Sequence, residues 1–93
     1  MTLLNRLAEA QRLWNFALPN TPEPPNQTWV RWLSKFTDEE IEKAITRLVS
    51  RYQTQALPEG DALYRVMTSN LVYLRDHRGT RVQTASTGGE ANG

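Results

Sequence analysis

Lys43, Arg47 and Arg51 recur at every fourth residue, a spacing that sets three cations along one helical face, where they could contact phosphates. A second basic group follows at Arg75, His77, Arg78 and Arg81, opposed locally only by Asp76. Acid is concentrated elsewhere, at Asp38, Glu39, Glu40 and Glu42. Charge is therefore segregated, although 11 Lys+Arg against 10 Asp+Glu leave a formal net charge of +1. Segregation of this kind can orient a domain on a polyanion or on a dipolar protein. The same residues also serve helix chemistry, since Glu39 and Lys43 form an i,i+4 pair and both clusters sit where helix dipoles favour their sign.

Trp29, Trp32 and Phe36 fall within one arc of a short helix. As the bulkiest apolar groups of a small chain they can form its core together with Trp14, each indole N–H then needing an acceptor. Projected outward, they would instead anchor another protein, a role in which Trp is over-represented, or offer a platform on which single-stranded bases stack. Asn70 lies on the apolar arc of a later helix, where an amide either bonds to nearby backbone or specifies the register of an oligomer.

Catalytic constellations are not found. The chain holds no phosphate-binding glycine loop, no H-E-x-x-H helix and no nucleophile elbow. Its one histidine, His77, neighbours Asp76, but adjacent helical residues point in different directions and make no dyad. Asp38, Glu39, Glu40 and Glu42 radiate from one helical turn and lack the loop spacing that wraps calcium. Zero Cys removes disulfides, thiolate metal sites and thiol nucleophiles. No metal, cofactor, small-molecule substrate or enzymatic activity is expected.

These residues must be held by helices. Leu3, Leu7, Ala10, Trp14 and Ala17 recur at spacings of three and four and predict an amphipathic helix over 2–18, capped by Thr2 and ended by Pro19. Four of the five prolines lie in 19–27, a stiff, extended connector. A short aromatic helix is expected over 28–36. Thr37 and Glu40 then form a capping box for a third helix reaching Tyr52, with Ile41, Ala44, Ile45 and Leu48 inward. Asp61 is the expected N-cap of a fourth helix, which carries Leu63, Val66, Met67, Leu71 and Leu74 inward and stops at Gly79.

The stretch from Trp29 to Met67 strings together an aromatic helix, the Thr37-capped acidic start, an Ile41-x-x-Ala44-Ile45 period, a turn with Pro58 and a further helix. In this it resembles helical segments of phage replication and helicase-loading proteins. The likeness spans less than half of the chain and rests on capping and core residues, so it carries over no site residue. It inclines the nucleic-acid reading toward DNA.

With 93 residues, 39% hydrophobic and 23% charged, the chain is long enough for one small domain and too short for a deep private pocket. The expected fold is all-α: a bundle of about four helices over 1–79, followed by a flexible, solvated tail over 80–93. No apolar run is long enough to span a membrane, no secretory leader is expected, and the cytoplasm is the expected compartment. The leading expectation is a non-enzymatic adaptor or accessory protein working through protein–protein interaction. It would use Trp29, Trp32 and Phe36 or the exposed side of the first helix, with a homodimer as its simplest form. The alternative is a nucleic-acid-binding accessory protein using Lys43, Arg47, Arg51, Arg75, Arg78 and Arg81.

Overall fold

The computed structural model describes residues 2–77. Within them lie α1 (Leu3–Ala17), α2 (Asn26–Lys35), α3 (Asp38–Arg51) and α4 (Asp61–Asp76). No strand occurs among the described residues. The fold is a small all-α bundle. The expected stop at Gly79 and the tail over 80–93 lie outside the described residues.

Each helix begins for a local chemical reason. The Thr2 hydroxyl accepts from the Asn5 N–H at the head of α1. At α3 the full capping box forms: the Thr37 hydroxyl accepts from the Glu40 N–H at 3.1 Å, and the Glu40 carboxylate accepts from the Thr37 N–H at 2.9 Å. Two starts differ from expectation. α2 begins at Asn26 rather than Thr28, because Pro25 serves as its N-cap and the Pro25 carbonyl accepts from Thr28 and Trp29. A proline at a helix entrance loses nothing by lacking an N–H, so the helix starts directly after the last one. α4 is capped by Gly60, not Asp61. Gly60 adopts φ 57° and ψ −132°, a conformation open essentially to glycine alone. Asp61 follows as the first helical residue, with its negative charge in the first turn.

α3 is the hub and packs against each of the other three helices. α1 runs parallel to it: Arg6 reaches Asp38 at 2.6 Å and the Phe36 carbonyl at 3.1 Å. At the far end, Leu13 and Ala17 face Ile45 and Val49. α4 returns antiparallel, bringing Tyr73 beside Arg47 and Asn70 beside Arg51.

Trp14, Trp29 and Trp32 form an edge-to-face series, with centroids 5.8 Å apart at 88° and then 5.4 Å apart at 89°. Tyr64 of α4 continues the series 6.4 Å from Trp32. Two of the indoles find acceptors: Trp14 Nε1 donates to the Thr21 carbonyl and Trp32 Nε1 to the Thr68 hydroxyl. The connector is thereby tied down, with Pro24 buried and Glu23 accepting from Asn15. Of its four prolines only Pro24 is buried, and Pro19, Pro22 and Pro25 face solvent.

Trp29 is fully buried at the middle of this series. Truncating such a ring costs about 3–5 kcal/mol, a large share of the roughly 5–15 kcal/mol that holds a native protein together. Trp29→Ala is expected to lose cooperative unfolding in urea, monitored by far-ultraviolet circular dichroism. A midpoint close to that of the parent chain would contradict the placement of Trp29.

Candidate functional site

Of the residues singled out from sequence, Trp29, Trp32 and Phe36 are all buried. The outward-facing anchor expected of them is corrected. The connector folds α2 back onto α1 and α3, and the aromatic arc becomes core. Burial in the core stabilises by about 1.5–3 kcal/mol for each large apolar side chain relative to exposure to water.

The apolar surface lies elsewhere, on α1. Phe16 is 87% exposed and Leu4 76% exposed, while Leu3, expected to face inward, is 48% exposed. Phe16 stands two positions after the buried Trp14, a rotation of about 200° that turns it away from the core. Beside it runs an open groove between α1 and α3, walled by Leu13, Ala17, Ile45 and Val49, with Glu42 and Thr46 on the α3 rim. Phe16 forms the raised edge of that groove. The two-residue offset from Trp14 was readable in the sequence; that α3 would supply the opposite wall was not.

The basic residues divide among separate places. Lys43 is paired with Glu39 at 3.3 Å. Arg47 and Arg51 line one recess with Thr46, Ser50 and Asn70. Arg75 turns the other way, 5.5 Å over the Phe36 ring and paired with Asp76. It stands two positions after Tyr73, the residue beneath Arg47, and so occupies the opposite flank of α4. His77 stacks on Tyr73 at 4.1 Å. Arg78 and Arg81 lie outside the described residues.

Asn70 is 7% exposed, and its Nδ2 is buried with no hydrogen-bond partner. A donor left in this state costs about 1–3 kcal/mol. Trp29 Nε1 is the other such donor among the described residues, but its residue is wholly enclosed in the core, whereas Asn70 lines a surface recess.

A recess beneath the connector brings together Thr21, Leu57, Glu59, Leu63 and Tyr64. It holds one carboxylate and no base facing it. Among the described residues there is no group of three or more His, Asp or Glu placed to hold a metal ion, and no helix is long and apolar enough to cross a membrane. No protein-family model, curated protein or solved structure matches this chain.

Replacing Asn70 by leucine removes the orphaned donor and keeps the branching of the side chain, with the added bulk next to an open recess. Asn70→Leu is expected to raise stability by about 1 kcal/mol, or about 4–8 °C in melting temperature. Calorimetry checks this, and a clear fall in melting temperature would show that the amide has a structural partner.

Proposed function

We propose that this chain is a non-enzymatic, cytoplasmic adaptor domain that works by protein–protein association, pairing with a second copy through the groove between α1 and α3. The observation that carries the reading is Phe16. The fold buries all three tryptophans and Phe36 yet leaves this ring 87% exposed, against the ordinary preference of phenylalanine for the interior.

A second copy fits the surface because the patch offers both halves of a contact. Phe16 is a ridge, and the groove next to it, floored by Leu13, Ala17, Ile45 and Val49, is a hole. Two such patches related by a two-fold axis can each place a phenylalanine in the other's groove, which is the isologous arrangement of symmetric dimers. The groove is lined largely by apolar residues, with Glu42 its single charged group. Phenylalanine is among the aromatic residues enriched where proteins meet.

Sedimentation equilibrium tests the reading. The apparent mass is expected to rise with concentration from 10.7 kDa toward twice that value. Phe16→Ser is expected to weaken association by about 30-fold or more, as loss of a central aromatic anchor does. Its far-ultraviolet spectrum should match that of the parent chain, and its unfolding free energy at concentrations where both are monomeric should stay within about 0.5 kcal/mol, because the residue is at the surface. A chain that remains monomeric at the highest attainable concentration would overturn self-pairing.

A further inference from the structure

We propose that the recess on the α4 side of α3 binds a phosphate oxyanion, with Arg47 and Arg51 supplying charge and Ser50 and Asn70 supplying neutral donors. The site is separate from the groove facing α1, and Thr46 stands on the ridge between the two.

Arg6, Arg12, Lys43 and Arg75 each hold a carboxylate. Arg47 and Arg51 belong, with Arg31, Lys35 and Arg65, to the described cations that hold none, and they are the two that share a recess free of acid. Both guanidinium groups are steadied by rings instead. Arg47 lies 4.9 Å over the face of Tyr73, which is itself stacked against His77, and Arg51 lies 5.8 Å from the ring centre of Tyr52. A ring contact of this kind holds a guanidinium by its face and uses none of its N–H donors, which stay available to a phosphate.

The neutral partners point the same way. The Thr46 hydroxyl already donates to the Glu42 carbonyl, so its proton is taken. Ser50, one turn on, is engaged by no such bond and can donate. Asn70 closes the floor with an amide whose Nδ2 has no acceptor. A half-turn of that amide exchanges its oxygen and nitrogen and turns the N–H₂ group toward the recess. An anion there would then accept from the N–H₂ group, while Oδ1 takes the buried position that Nδ2 leaves. Two guanidinium forks, a hydroxyl and an amide are more donors than a planar carboxylate readily accepts, and they suit the several oxygens of a phosphate.

The phosphate can belong to a small phosphorylated molecule or to a nucleic-acid backbone, and one titration separates the two. Chemical shifts of the Asn70 side-chain amide and Arg47 Nε are followed as inorganic phosphate, or a short single-stranded thymidine oligonucleotide, is added at constant ionic strength, with chloride as the control. Phosphate is expected to move both signals saturably where chloride does not. Arg47→Gln, Arg51→Gln and Asn70→Leu should each weaken binding by about tenfold, Asn70→Leu without any loss of melting temperature. An oligonucleotide that binds about tenfold more tightly than phosphate, and loses affinity steeply with salt, identifies the backbone as the source; one that binds no more tightly identifies a small phosphorylated molecule. Signals that stay still in both arms, shifts that chloride reproduces, or tighter binding of polyglutamate than of phosphate would each overturn the proposal. The same shifts are expected in the Phe16→Ser chain, so this site and the pairing groove stand or fall separately.

Discussion

The fold depends on one edge-to-face contact series that links three helices. Trp14 of α1, Trp29 and Trp32 of α2 and Tyr64 of α4 meet in sequence, with the first two centroid separations at 5.8 and 5.4 Å. Perpendicular rings set the positive edge of one against the negative face of the next, an arrangement that stabilises beyond area burial alone. α2 is only ten residues long and is too short to be stable by itself. Its position is secured by its two indoles. The proline connector is held by the same rings, through the bond from Trp14 to Thr21.

Around that centre α3 divides the surface. One stripe of it, Ile41, Ala44, Ile45 and Leu48, is buried. On its α1 side lies the apolar groove edged by Phe16, and on its α4 side the basic recess floored by Asn70. The two differ in physical character, one suited to excluding water and the other to holding charge. Local capping keeps α3 in place: the Thr37–Glu40 box closes its start, while Arg6 clamps the preceding turn to α1.

Much of this architecture could be read from the residues. Spacings of three and four located α1, α3 and α4, and Thr37 with Glu40 named the start of α3 because both halves of the box lie within four residues. Errors arose where tertiary structure decides. Whether Trp29, Trp32 and Phe36 face in or out depends on the direction in which the connector returns the chain, and periodicity is blind to that direction. The Gly60 cap was hidden because Asp61 is the better N-cap by type, whereas the turn there requires a positive φ. Arg6, 32 positions from its partner Asp38, leaves no local mark. The basic stripe was legible as a row, but its division into a paired lysine, a two-arginine recess and a separate Arg75 follows from where α4 docks.

The indole series has an optical consequence. All three tryptophans of the chain are sealed from solvent and nearly touching, so light absorbed by one passes readily to its neighbours and leaves from a dry environment. The emission of the protein is therefore a single report on the integrity of its centre. Events at the periphery pass unseen in that channel, because the rings at the surface, Phe16 and Tyr73, are of the weakly emitting kinds.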